Sequence, residues 1–221
     1  MHNTVDNLVG IEKEIQLKLE KKDKKINYPK IIAVSKTFPI QNIFPLINHG
    51  QIHYGENKVQ EAIEKWIDIK KDFDHIKLHM LGNLQSNKVK FVVPLFDYIH
   101  SLDNLKLAKK ISDEQHKNNK SLKIFIQVNI GKEEQKNGIN EEDLKSFYDK
   151  CVNELNLEII GLMCLPPKND NSKNYFLKMK ELATQLNITE LSMGMSSDYL
   201  QAAENGATYL RIGSKIFGQR G

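Results

Sequence analysis

Lys36 closes the apolar run Ile31-Ile32-Ala33-Val34 in the segment Ser35-Lys36-Thr37. A lysine just past a buried strand has its stem against apolar walls. Desolvation then disfavours the ammonium and leaves an amine able to attack an aldehyde. In a chain this rich in lysine, the ordinary reading is a solvated cation in a loop. Two later segments point to phosphate: Leu191-Ser192-Met193-Gly194-Met195-Ser196-Ser197-Asp198 and Arg211-Ile212-Gly213-Ser214. Glycine lets the backbone approach an oxyanion, free N–H groups bind it, and serine hydroxyls add donors. Ser196 or Ser197 would equally serve as a helix N-cap. In Gly55-Glu56-Asn57, Asn57 is placed to hydrogen-bond a ligand, while Glu56 reads as a first-turn carboxylate favoured by the helix dipole. The stretch from His79 to Lys88 gathers several polar side chains into one loop, with Ser86 as a helix cap.

These residues all follow apolar runs, so the strands fix their positions. Strands are expected over Lys30–Ser35, Gln51–Tyr54, Lys77–Leu81, Tyr98–His100, Lys123–Asn129, Glu158–Leu162, Glu190–Met193 and Ala207–Ile212. Between them helical spacing covers Gln41–Asn48, Lys58–Ile69, Ser86–Val93, Leu105–Asn119, Glu141–Leu155, Asn174–Leu186 and Tyr199–Asn205. A first helix, Asn7–Lys22, carries Leu8, Ile11, Ile15 and Leu19 on one face. Regular β/α alternation implies a parallel sheet, and eight units close into a barrel whose active face lies at the strand C-termini. An open doubly wound sheet is the runner-up, but no Gly-x-Gly-x-x-Gly turn follows the first strand. The expected fold class is therefore α/β: a single (β/α)8 TIM barrel over residues 1–221, with residues 1–25 adding an N-terminal helix. The chain ends soon after its eighth strand, and that first helix is expected to fill the gap in the outer ring.

Composition bounds the function. The 221 residues are 40% hydrophobic and 27% charged, ordinary values for a globular chain. The net charge of +4 is scattered along the chain, which argues against nucleic-acid binding. No apolar run is long enough for a bilayer, and no signal-peptide core opens the chain. Two cysteines, Cys151 and Cys164, make neither a disulfide framework nor a metal spacing. The seven histidines form no metal-binding motif; His49 and His53 are separated by Gly50. A cytoplasmic, monomeric protein without membrane or metal is expected.

Ala33-Val34-Ser35-Lys36-Thr37, Tyr54-Gly55-Glu56-Asn57, and His79 with Gly82-x-Leu84-Gln85-Ser86-Asn87-Lys88 resemble the pyridoxal phosphate homeostasis proteins. So do Gln127-Val128-Asn129, Gly161-Leu162-Met163, the Leu191–Ser196 segment, and Arg211-Ile212-Gly213-Ser214-x-Ile216-Phe217-Gly218, in the family's order. The resemblance implies a barrel like the N-terminal domain of alanine racemases, holding pyridoxal 5′-phosphate (PLP) as a Schiff base on Lys36. Asn57 would lie beside the ring and Arg211 would face its nitrogen. Ser192, Gly213 and Ser214 would hold the phosphate, and His79 is counted with the cofactor-binding residues. Two stretches depart from the family: Ser101-Leu102-Asp103-Asn104, where Ser-x-Asp-Arg is usual, and the segment after Asn129, which keeps Glu133 and Lys136.

Two functions share this site. One is a carrier that buffers PLP and hands it to apo PLP-dependent enzymes; the other is a PLP-dependent amino-acid racemase. A two-base racemase needs a second acid/base across the ring, which alanine racemases take from a further domain. The barrel uses up these 221 residues, so the carrier is expected, without turnover or assigned catalytic residues. A barrel binding some other phosphate ester without covalent chemistry would be colourless.

Overall fold

The computed structural model describes residues 3–20, 27–133, 135–167 and 170–219. Among them eight parallel strands close into a barrel in sequential order. They are β1 (Lys30–Val34), β2 (His53–Glu56), β3 (Lys77–Met80), β4 (Tyr98–Leu102), β5 (Lys123–Val128), β6 (Ile159–Cys164), β7 (Glu190–Ser192) and β8 (Tyr209–Ile212). β8 returns to β1 in continuous register from Lys30↔Tyr209 to Ala33↔Ile212, which leaves no open edge.

Helices cover the outside: α1 (Thr4–Glu20), α2 (Ile40–His49), α3 (Val59–Trp66), α4 (Ile69–Asp72), α5 (Val89–Leu95), α6 (Leu105–Asn118), α7 (Glu141–Asp149), α8 (Ser172–Gln185), α9 (Tyr199–Glu204) and α10 (Ser214–Phe217). Local chemistry sets several ends. The Asn104 side chain accepts from Leu107 N–H and caps α6, which stops at Asn119 in the left-handed region. Asn104 is thus a helix cap. Gly50 ends α2 at φ 98°. A segment expected as one helix to Leu155 is instead α7 followed by a π-turn over Lys150–Glu154. Ser86–Lys88 forms a 3₁₀ turn leading into α5. Residues 21 and 22 of the expected first helix lie outside the described residues.

α1 buries Leu8, Ile11, Ile15 and Leu19, the face read from its spacing. It packs against α2, α9 and α10, filling the ring where the one-turn α10 follows β8. Asn7 Nδ2 donates to Ile216 O at 2.9 Å, and Lys215 Nζ reaches Glu14 Oε2 at 3.0 Å. No described helix is long and apolar enough to cross a membrane. Cys151 and Cys164 are free and buried.

The buried apolar residues form two clusters. The large one lies between the sheet and the helices. The small one lies inside the barrel and comprises Ile32, Tyr98, Phe125, Met163 and Tyr209. Barrel interiors are usually packed by branched aliphatic residues. Here aromatic and polar side chains take that place, with His79 on β3, His100 on β4, Ser192 on β7 and Arg211 on β8 all buried.

Candidate functional site

At the C-terminal ends of the strands a cavity of ≈ 560 Å³ opens, a size suited to a small cofactor. Lys36 and Asn57 line it from the first two loops, Ser196, Ser197, Gly213 and Ser214 from the last two, and Arg211 lies at its base. Val34, Phe38, Leu81 and Met163 supply apolar wall, with Phe38 stacked on Phe217 at 4.9 Å. Five residues expected at the site therefore share one pocket: Lys36, Asn57, Arg211, Gly213 and Ser214. His79 and Ser192 do not line it. Both are fully buried within the barrel, on β3 and β7.

The Lys36 turn is held by a buried ionic cluster. Thr37 sits at φ 68°, an unusual conformation for a β-branched residue, and its N–H donates to Glu61 Oε1. Lys65 Nζ bridges Ser35 O at 2.9 Å, Glu56 Oε1 at 2.9 Å and Glu61 Oε1 at 3.0 Å. Glu56 Oε1 also accepts from Ser35 Oγ at 2.7 Å and Trp66 Nε1 at 3.0 Å. Burial raises the Glu61 carboxyl, but the Thr37 N–H and Lys65 bring it below its ordinary range overall. The reading of Glu56 as a helix-turn carboxylate is corrected here. It is the last residue of β2, fully buried, and ties β1 to α3. β2 runs two residues later than expected, placing Gly55 in the barrel wall. A Cβ there would meet Leu81 Cδ1 at 2.5 Å. Gly82 lets the next loop approach Asn57, since its Cβ would fall 2.2 Å from Asn57 O.

The last two loops form one rim, because Lys215 N–H donates to Ser196 Oγ at 3.3 Å. Asp198 accepts from Met195 N–H at 2.7 Å, folding the loop after β7. Gly213 and Ser214 open α10, where the helix ladder leaves N–H groups to be paired from outside.

Beneath the pocket, Arg211 Nη1 donates to Ser192 Oγ at 2.7 Å and Nη2 to Cys164 O at 2.8 Å. From Ser192 a row of contacts descends through the barrel: His100 Nδ1 at 2.8 Å, His100 Nε2 to His79 Nδ1 at 2.8 Å, and His79 Nε2 to His53 Nδ1 at 2.9 Å. His79 stacks on Tyr98 at 4.1 Å and His100 on Phe125 at 4.3 Å. Burial holds His79 and His100 well below the usual histidine range. Burial, with Lys30 and Lys77 nearby, brings His53 to about 4. Burial also pushes the Cys151 and Cys164 thiols up to about 12, so neither is a ready nucleophile. Sequence reasoning missed His53, His100 and the Glu56–Lys65–Glu61 cluster. The available signal was a histidine inside or at the start of each of three consecutive strands.

The profile of the family described as alanine racemase, N-terminal domain, matches residues 13–221. A pyridoxal phosphate homeostasis protein of Aquifex aeolicus (strain VF5) is 38% identical over 99% of this chain and 99% of its own. The chain belongs to the pyridoxal phosphate homeostasis proteins. Among solved structures, that of PipY from Synechococcus elongatus PCC7942 with PLP bound is 34% identical. Its TM-score is 0.79, covering 92% of this chain and 100% of that chain. An alanine racemase of Clostridium difficile 630 shares the fold at 15% identity and a TM-score of 0.72, covering 99% of this chain and 57% of that chain.

Proposed function

We propose that this protein binds pyridoxal 5′-phosphate in the pocket at the strand C-termini and acts as a cytoplasmic buffer and donor of that cofactor. The observation that carries this reading is the convergence of Lys36, Arg211 and the loops after β7 and β8 on one ≈ 560 Å³ cavity. The residues suit the molecule. Apolar walls from Val34, Leu81 and Met163 accept a flat ring, and Asn57 offers it an amide. Arg211 offers donors to a ring nitrogen. Gly213 and Ser214 offer close backbone approach and a hydroxyl to a phosphate dianion. Lys36 Nζ is the amine that would hold the cofactor through its aldehyde carbon. When bound, PLP supplies an electrophilic carbon and an electron sink.

A carrier is favoured over a racemase by the pocket wall itself. Among its described lining residues, Lys36 and Arg211 are the titratable ones, and Arg211 is a permanent cation. Those described lining residues include no histidine, tyrosine, cysteine or carboxylate to exchange a proton with a bound amino acid. The relatives named for PLP homeostasis match this chain end to end, in keeping with the same role. Two free, buried thiols suit a reducing compartment. His79 and Ser192 act on the cofactor through Arg211 rather than by touching it. A monomer serving apo PLP-dependent enzymes completes the proposal.

Purified protein should be yellow, and borohydride should fix the cofactor on Lys36 in a peptide map. Attachment to another lysine, or none, would refute the site. With PLP bound, α-proton exchange of common amino acids in deuterated water should stay near that of free PLP. Exchange orders of magnitude faster, and abolished by Lys36→Ala, would establish the racemase-type enzyme instead.

A further inference from the structure

We infer that Ser192, His100, His79 and His53 form a one-way hydrogen-bond chain that positions Arg211 beneath the pocket. The chain spans the barrel interior from the pocket base to the opposite end, where His53 begins β2. Its four contacts, 2.7 to 2.9 Å, leave no gap between Arg211 and His53.

The sense of the chain follows from counting protons. A guanidinium only donates, so Arg211 Nη1–H points at Ser192 Oγ, which accepts. The Ser192 side chain is fully buried, and among the described residues its other partner is His100 Nδ1. If the Ser192 hydroxyl donates to His100 Nδ1, then His100 Nε2–H donates to His79 Nδ1 and His79 Nε2–H donates to His53 Nδ1. Every internal proton is then used. His53 is the one ring of the three that reaches the barrel's outer end, so water can meet its Nε2–H. In the opposite sense each histidine carries its proton on Nδ1. The Ser192 hydroxyl then receives from both Arg211 and His100 and has no acceptor for its own proton. An unsatisfied buried donor is the costlier arrangement.

Burial keeps the row neutral, and the charges around it act in the same direction. A second proton on His79 or His53 would set two donors face to face, and one on His100 would leave the Ser192 proton without its acceptor. Arg211 opposes a charge on His100, and Lys30 and Lys70 oppose one on His79. Lys30, Lys77 and Lys123 oppose one on His53, while Asp97 favours it. A neutral row with this sense sends the Ser192 proton to His100 Nδ1 and turns the Oγ lone pairs toward Arg211. The guanidinium is then tied at Nη1 to Ser192 and at Nη2 to Cys164 O, and its remaining donors are left for the pocket.

Only the final link, that Arg211 faces PLP, rests on the reading of the previous section. The test separates the two. In ¹⁵N-histidine-labelled protein free of PLP, near neutral pH, all three rings should show a protonated Nε2 and a bare Nδ1. In Ser192→Ala one buried atom of the row is unsatisfied in either sense, so mixed tautomers should extend to His53. Ser192→Thr, which keeps the hydroxyl, should restore the single form. PLP dissociation should rise about tenfold or more in the alanine variant and return toward wild type in the threonine variant. A protonated Nδ1 at any of the three rings in wild type would overturn the assigned sense. Unchanged PLP affinity in Ser192→Ala would overturn the positioning role. Failure of wild type to take up PLP would refute the cofactor reading and leave the tautomers to decide the chain.

Discussion

Replacing Lys65 by methionine tests whether the ionic cluster under the Lys36 turn carries the weight its geometry implies. The Lys65 side chain is 8% exposed and that of Glu56 0%, with Nζ 2.9 Å from Oε1. At an effective dielectric of about 20, that separation corresponds to roughly 5–6 kcal/mol of gross attraction. Desolvation of both groups cancels much of it, and Glu56 Oε2 finds no partner among the described residues. Methionine fills the space but leaves a buried carboxylate without its cation, a loss of about 3–5 kcal/mol. That is a large share of the roughly 5–15 kcal/mol by which domains are stable. With a urea slope of about 2–3 kcal/mol per molar, the unfolding midpoint should fall by roughly 1–2.5 M. Lys71→Met is the control. Its pair with Asp68 has side chains 70% and 84% exposed, and its loss should change little. Adding Glu56→Gln to Lys65→Met removes the stranded charge and should recover part of the loss. A Lys65→Met midpoint matching that of Lys71→Met would refute the argument, because it would show the buried pair behaving as a surface one.

The phosphate rim and the histidine row give two further expectations. Ser214→Asp should weaken PLP binding by placing a carboxylate where Gly213 and Ser214 offer donors, and pyridoxal lacking phosphate should bind wild type far less tightly. Equal affinity for PLP and pyridoxal, measured by spectral titration, would remove the phosphate assignment. His53 is neutral when folded, with its pKa lowered from 6.5 to about 4 by burial and by Lys30 and Lys77. The unfolded chain therefore takes up the proton first. The associated stability, about 3 kcal/mol, is present above pH 6.5 and lost as the pH falls toward 4. His53→Gln keeps an acceptor for His79 and should flatten that part of the pH–stability curve. Parallel curves for the two proteins in urea melts would contradict it.

The β/α order, the closure of eight strands and the polar residues just past each strand were legible in the amino-acid sequence. Each rests on local signals: apolar runs, helical spacing, and the chemistry of Lys36, Asn57, Arg211, Gly213 and Ser214 at strand ends. The buried face of α1 was legible for the same reason, since Leu8, Ile11, Ile15 and Leu19 recur at helical period. What tertiary structure decided is depth and facing. Strands of a parallel barrel are buried on both sides, so they show no alternation that tells inside from outside. A shift of β2 by two residues, with Gly55 against Leu81 and Ile32, turned Glu56 from an expected first-turn helix carboxylate into the partner of Lys65. The inward face of β3 and β7 sent His79 and Ser192 below the pocket. The pairing of His53, His79 and His100 needed the register of three neighbouring strands, which closure of the barrel sets and no stretch of sequence encodes alone.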